Sequence, residues 1–411
     1  MYLGDLLTAP VLMNILITNN TLATLGGSEW VVVELARALS SRGHQVAACS
    51  SQIAEAGTML KGMSIPVIPD PFDSPFKPDV IHGQHHLDTV RALCAFPDVP
   101  AIYHCHGYLP WVEDPPVHPR IRYYVGMSSV VSERIRFSLG LSDRDVMTIP
   151  NWVDLDRFRF VRDPRHKPRK ALLYLRSFDR HSWHASQLCQ AFEWMGIKLD
   201  LWMPQRETRA PEVVLPQYDI VLASGRSAIE AMASGCAVLP ISPSACLDLV
   251  DLTNFDFFQS QNFSPRLSTG QFNAESIVRA VSSYNPEHVK AVTEAVRSRC
   301  TLSAATDALE SLYLRTVEGF SDQYPLPSAR FTNELHAMAN YIQSLMPMVR
   351  DRERLLLENN HIQQVIAVQE QTITALHRSN SMRITKPIRV ISNLLRRLRS
   401  TKPNPGESLG S

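Results

Sequence analysis

Between Tyr218 and Ile241 the chain reads YDIVLASGRSAIEAMASGCAVLPI. An apolar run (Ile220, Val221, Leu222) meets a tight turn at Gly225-Arg226; a helical pattern starts at Ser227, stops at Gly235 and gives way to a second apolar run, Ala237 to Ile241. Strand, helix and strand in such close succession make a β-α-β unit, and units of this kind build parallel sheets whose ligands sit at the strand carboxyl ends. The helix start leaves backbone N–H groups unpaired at the positive end of the dipole, a seat suited to a phosphate. Arg226 adds a planar fork of donors there. Glu230, expected in the first turn of the helix, offers two acceptor oxygens to a pair of sugar or ribose hydroxyls. Ser227-x-x-Glu230 is equally the pattern of a capping box, in which both residues only start the helix.

The same alternation runs through the rest of the chain. Strands are predicted at Met13–Thr18, Val46–Cys49, Pro78–His82, Ala101–Cys105, Tyr123–Met127 and Val146–Ile149. A loop with Gly26-Gly27 leads into a helix from Ser28 whose Val32, Leu35, Ala36 and Leu39 keep helical spacing, and Ser132–Leu139 is a further helix. Asn151 to Arg169 breaks the rhythm with prolines and charges, so a linker is placed at 156–169 between domains at 1–155 and 170–320. The second series holds a strand at Ala171–Leu175, a helix at Ala185–Trp194, a strand at Leu199–Met203, the stretch described first, and helices up to Val317. The expected fold class is α/β: two doubly wound, Rossmann-like domains followed by an extended helical region at 330–380.

In that extended region Leu335, Met338, Ile342, Leu345, Val349 and Leu356 approximate a heptad seam that Pro347, Arg352 and Asn359 interrupt. It suggests one or two long helices making an antiparallel or homo-oligomeric contact. The tail, 381–411, is different: Ile388, Ile391, Leu394, Leu395 and Leu398 line one face of a helix that Arg383, Lys386, Arg389, Arg396, Arg397, Arg399 and Lys402 otherwise dominate. This basic amphipathic pattern suits an anionic membrane surface, where each basic residue is worth about 1 kcal/mol. Overall, 41 basic and 40 acidic residues give no reason to expect nucleic acid. Seven scattered cysteines without a CxxC pair fit a reducing compartment. With no membrane-length apolar run and no basic segment ahead of Met13, a cytoplasmic protein is expected, peripheral on the inner face of the cell membrane through its tail.

GGSE at Gly26–Glu29, RGHQV at Arg42–Val46, PNWVDLDRF at Pro150–Phe158, HCHGYLPWVEDPPVHPRIRYYV at His104–Val125 and GRSAIEAMASGCAVL at Gly225–Leu239 together resemble the two-domain GT-B glycosyltransferases, and within them the retaining family four of bacterial surface-polysaccharide synthesis. The likeness extends over Met13 to Leu314, and SNSMRITKPIR in the tail is similar to an end segment of such enzymes. It implies that the first domain faces the acceptor and the second the nucleotide diphosphate sugar, with the donor diphosphate against Gly26 and Gly27, the ribose on Glu230, and His106 directed at sugar hydroxyls. Donor contacts are also expected at Gly225, Arg226 and Ser227. The family's first glutamate falls at Leu222 and its basic diphosphate clamp is not evident; Arg176, Arg180 and Arg226 are the candidate substitutes. Glu113 and Asp114 are candidate acceptor-side carboxylates, a solvated turn being the other reading. His82, His85, His86, His104 and His106 lack a matching carboxylate or cysteine set, so neither a metal nor another cofactor is expected. The implied activity is transfer of a hexose or deoxyhexose to a glycan or lipid-linked saccharide with retention of configuration. A nucleotide-sugar epimerase and a non-catalytic scaffold, the latter motivated by Leu222, are the alternatives.

Overall fold

The computed structural model describes residues 11–108, 111–175, 182–202, 210–242, 245–264, 272–321 and 327–378. The chain divides into two compact units, Met1–Ala337 and Met338–Ser411. The first unit holds two parallel sheets.

In chain order the first lobe contains β1 (Asn14–Thr18), α1 (Gly27–Ser41), β2 (Gln45–Cys49), α2 (Glu55–Gly62), β3 (Val67–Ile68), β4 (Val80–Gln84), α3 (His86–Ala95), β5 (Ala101–Cys105), β6 (Ile121–Gly126), α4 (Ser129–Leu139) and β7 (Val146–Thr148). Its seven strands lie in the order β3-β2-β1-β4-β5-β6-β7, so the direction of winding reverses between β1 and β4. That reversal opens a crevice beyond the carboxyl ends of these two strands, at Asn19, Gln84 and His85. The strands are buried on both faces: Ile15, Ile17, Val46, Ala48 and Val80 pack under α1, while Leu16, Ala47, Ile81 and Tyr103 pack on the other side. This double burial explains why the strands read as continuous apolar runs.

The second lobe contains β8 (Lys170–Tyr174), α5 (Trp183–Trp194), β9 (Lys198–Trp202), α6 (Pro211–Val214), β10 (Ile220–Ala223), α7 (Arg226–Ala233), β11 (Ala237–Pro240), α8 (Phe255–Ser260), α9 (Ala274–Ser282) and α10 (Pro286–Arg299). Its sheet order among the described residues is β11-β10-β8-β9, with the reversal between β8 and β10. Leu222 is buried mid-strand, opposite Leu173 and Leu239.

The lobes are joined twice, side by side. Val153 N–H donates to the Cys300 carbonyl at 2.9 Å, and Leu302 N–H donates to the Val153 carbonyl at 3.0 Å. Trp152 belongs to the first lobe's core, whereas Val153 and Phe158 belong to the second's. The change of lobe therefore falls between Trp152 and Val153, ahead of the linker expected at 156–169. α11 (Leu302–Ser321), expected with the second domain, instead packs on the first. Its Leu309, Leu312 and Tyr313 are fully buried there among Val32, Leu35 and Leu39 of α1.

α12 (Pro327–Arg378) is a single helix, one of the two arrangements expected, and it continues through Pro347, a position expected to break only the heptad seam; the proline removes one backbone N–H donor without ending the helix. Leu335, Ile342, Leu355, Leu356, Ile362 and Val365 are exposed on it. No helix among the described residues is long and apolar enough to cross a membrane. The basic tail, 381–411, lies outside the described residues.

Candidate active site

The turn from β10 into α7 consists of Ser224 and Gly225 alone. Gly225 has φ +62°, a backbone that side chains other than glycine's rarely adopt, and no side chain caps α7. Ser227 is the second helical residue and Glu230 the fifth. The capping-box reading is thereby set aside, and Glu230 stands in the second turn rather than the first. It is buried against Tyr174, whose Oη is 3.5 Å from Oε2, and Arg226, whose Nη2 is 3.6 Å from Oε1. Burial raises its pKa, outweighing the pull of Arg226 and Arg157.

Arg226 spans the cleft. Its Nη2 donates to Glu34 Oε1 of α1 at 2.7 Å, and both side chains are almost fully buried. The second oxygen of Glu34 accepts from the indole Nε1 of Trp152 at 2.9 Å. Burial alone would lower the Arg226 pKa, but Glu34 and Glu230 raise it, so the guanidinium is fixed in its charged form. Beside it, the guanidinium of Arg157 lies 3.9 Å from the Trp30 ring centroid and donates from Nε to Glu212 at 2.8 Å. Nη1 of Arg226 and Nη1 of Arg157 are buried without a hydrogen-bond partner among the described residues. Buried donors left open in this way mark a place where a ligand can complete the set. Glu34, Trp152 and Arg157 were not singled out in the sequence. The available signal was a glutamate standing among Val31, Val32, Leu35 and Ala36 on the apolar face of α1.

Opposite stand the histidines. The two strand-end groups, which the sequence left apart, meet because β4 and β5 pair with Gln84 opposite His104. His104 Nδ1 is 3.3 Å from His82 Nε2, and His82 Nδ1 is 2.5 Å from Tyr313 Oη of α11. Burial holds all three rings neutral: His104 is pushed down to about 4, His82 well below its ordinary value, and His106 likewise, with His104, His85, His82 and Arg226 adding to the last. His106 Nε2 lies 2.8 Å from Gln84 Oε1, an acceptor, so Nε2 carries the proton and Nδ1 the lone pair.

Glu113 is no solvated turn residue. It is buried, accepts from the His106 backbone N–H at 2.7 Å and lies 3.4 Å from His85 Nε2. Burial would raise its pKa, but the hydrogen bonds from His85 and His106 win and lower it. His85 itself has φ +60°. Asp114 points elsewhere, pairing with Arg134 at the surface. At the start of α1 a Cβ on Gly26 would fall 2.1 Å from Glu29 Oε2, so a side chain there would displace the Glu29 carboxylate, which accepts from Thr24 and Ser28 hydroxyls. Gly27 is open, and a Cβ there would meet no heavy atom within 4 Å. Arg176 and Arg180 lie outside the described residues. Among the described residues no group of three or more histidine, cysteine or acidic side chains is placed to hold a metal.

Between the lobes is a cavity of about 250 Å³ lined by His106, Ser128, Ser224, Gly225 and Asn262 among others. The structure thus brings together His106, Glu113, Gly225, Arg226 and Glu230 around one cleft and leaves Asp114 outside.

Two Rossmann-like lobes, a double crossing and a cleft at both points of strand reversal define the GT-B glycosyltransferase fold. Residues 25–157 match the model of Glycosyltransferase Family 4. Among solved structures, a glycosyltransferase from Rickettsia africae aligns at 13% identity and a TM-score of 0.53, over 75% of this chain and 99% of that one, and shows the shared fold. Two others are similar at lower scores. Anabaena HepE in complex with UDP and glucose has 14% identity, a TM-score of 0.46, and coverage of 73% and 99%. The starch synthase IV catalytic domain of Arabidopsis thaliana, bound to ADP and acarbose, has 12% identity, a TM-score of 0.48, and coverage of 75% and 100%. No curated protein sequence matches.

Proposed function

We propose that the chain transfers a hexose or deoxyhexose from a nucleotide diphosphate sugar to a glycan or lipid-linked saccharide, with retention of configuration. The observation that carries this is the uncapped start of α7 beside the open, buried Nη1 of Arg226, across the cleft from neutral His106. Helix dipole and guanidinium together favour the charge that develops on a departing diphosphate, and they do so without a divalent cation. In the reaction the bond from the sugar's anomeric carbon to the phosphate oxygen breaks, and a bond to the acceptor oxygen forms on the same face. The acceptor's hydroxyl proton goes to the departing phosphate. His106 Nδ1, with its lone pair free of the Gln84 contact, orients a sugar hydroxyl. Glu230 takes the ribose once Arg226 turns to the phosphate.

The reaction runs at the inner face of the cell membrane, reached through the basic tail. The test is a thermal-shift panel of nucleotide sugars followed by transfer assays on Glu230→Ala. A single donor should raise the melting temperature by mass action, and the substitution should lower kcat/KM about a hundredfold or more. If Glu230→Ala leaves polysaccharide synthesis intact while loss of 381–411 abolishes it, the chain is a scaffold and not the transferase.

A further inference from the structure

We propose that the turn Gln261–Ser264 forms a sugar-ring subsite that accepts only an uncharged sugar. The proposal rests on the nucleotide-sugar reading and adds the chemical class of the sugar. With only Ser224 and Gly225 between β10 and α7, that connection presents no long side chain to the cleft. The space in front of it is taken by the turn after α8. The Asn262 carbonyl accepts from Gly225 N–H at 2.9 Å, and Asn262 Nδ2 lies 3.3 Å from where a Cβ on Gly225 would be.

Two features mark this turn as more than a connector. Asn262 and Phe263 are consecutive non-glycine residues with φ +55° and +50°, a costly backbone that persists where surrounding contacts enforce it and that gathers at ligand sites. Asn262 Oδ1 also accepts from Asn151 Nδ2 at 2.8 Å, which ties the turn to the other lobe next to the crossing at Val153.

The cavity behind the turn is about 250 Å³, under the roughly 300–1,000 Å³ usual for drug-sized ligands, so it suits one sugar ring and not a whole nucleotide sugar. The side chains of Gln261 and Ser264 line it and make no hydrogen bond among the described residues, leaving an amide and a hydroxyl for ring hydroxyls. His106, Ser128 and Ser224 complete a wall of neutral donors and acceptors. Among the described residues no lysine or arginine lines it, and the one carboxylate that does, Glu113, is engaged by His106 and His85. Among the described lining residues a sugar carboxylate would meet no cation, a cost that neutral hydroxyls avoid.

The experiment compares calorimetric affinities of the full chain for UDP, UDP-glucose and UDP-glucuronate, ADP and ADP-glucose, and GDP and GDP-mannose, in wild type and in a Gln261→Ala, Ser264→Ala variant. Neither side chain holds the turn together, and binding of the bare diphosphate reports that the variant is folded. One neutral sugar should bind more tightly than its bare diphosphate in wild type. The variant should lose about tenfold of that gain, two hydrogen bonds' worth, with bare diphosphate binding unchanged. If UDP is the preferred diphosphate, UDP-glucuronate should bind no better than UDP. The subsite alone is overturned if the sugar adds nothing in wild type, if the variant keeps the full gain, or if glucuronate binds as tightly as glucose. Binding of none of these nucleotides overturns the nucleotide-sugar reading and the subsite with it.

Discussion

At the scale of single residues the pair that decides most is Glu34 and Arg226. They are 192 positions apart, buried, and joined at 2.7 Å. Removing one partner leaves the other buried with a more distant counter-charge, Arg226 with Glu230 at 3.6 Å or Glu34 with Arg157 at 4.0 Å, and breaking comparable buried pairs costs about 3–5 kcal/mol. Glu34→Ala should therefore lower the urea midpoint sharply, and so should Arg226→Ala. The double variant should cost clearly less than the two single losses together, because neither charge is then stranded. Additive losses would show that the two residues do not act as a pair. None of this was legible beforehand: Glu34 stands in a helix whose periodicity is satisfied by Val32, Leu35, Ala36 and Leu39, and the sequence does not say which helix will face it. The motif marked Glu230 as the expected ribose contact, but its depth was not legible, because burial comes from Arg226 and Tyr174 folding over it.

At the scale of elements the strands other than the two-residue β3 were legible, because parallel strands covered on both faces must be continuous apolar runs, and Ala101–Cys105 was read to the residue. What joins them was not. The register of β4 on β5 places His82 and His104 on one sheet face as diagonal neighbours, and α11 then closes over them with Tyr313. Its destination could not be read from its sequence, since an amphipathic helix fits any apolar surface. A pH dependence follows from this arrangement. In the unfolded chain histidine takes up a proton near pH 6.5; in the native protein His104 does so only at about 4, and His82 and His106 also stay neutral well below their ordinary value. The unfolded state thus binds more protons as pH falls below about 6.5, and stability falls with it, by roughly 1.4 kcal/mol per unit for each such ring. Glu230 opposes this, since its raised pKa favours the native state at lower pH. Urea midpoints measured at pH 7, 6 and 5 should fall in that order, and a Tyr313→Phe variant should start lower while keeping the slope. A flat profile would mean that the rings are hydrated in the native protein.

At the scale of the whole molecule the distribution of charge matters more than its total. The tail, 381–411, holds seven of the 41 basic residues and one of the 40 acidic ones, which leaves the rest of the chain with 34 and 39. The body is therefore slightly acidic by count, and the concentrated positive charge lies in the tail. Seven basic residues at about 1 kcal/mol each, together with the apolar Ile388, Ile391 and Leu395, are the basis for the proposed attachment to a phosphatidylserine-rich membrane. Full-length protein should co-sediment with such vesicles and stay in solution with phosphatidylcholine ones, and removal of 381–411 should abolish the difference. Salt separates the two contributions. The screening length shrinks from about 10 Å at 0.1 M to about 3 Å at 1 M, so an electrostatic attachment should be released at high salt, whereas one held by the apolar face should persist. Sedimentation of the truncated chain equal to that of the full chain would place the membrane contact elsewhere.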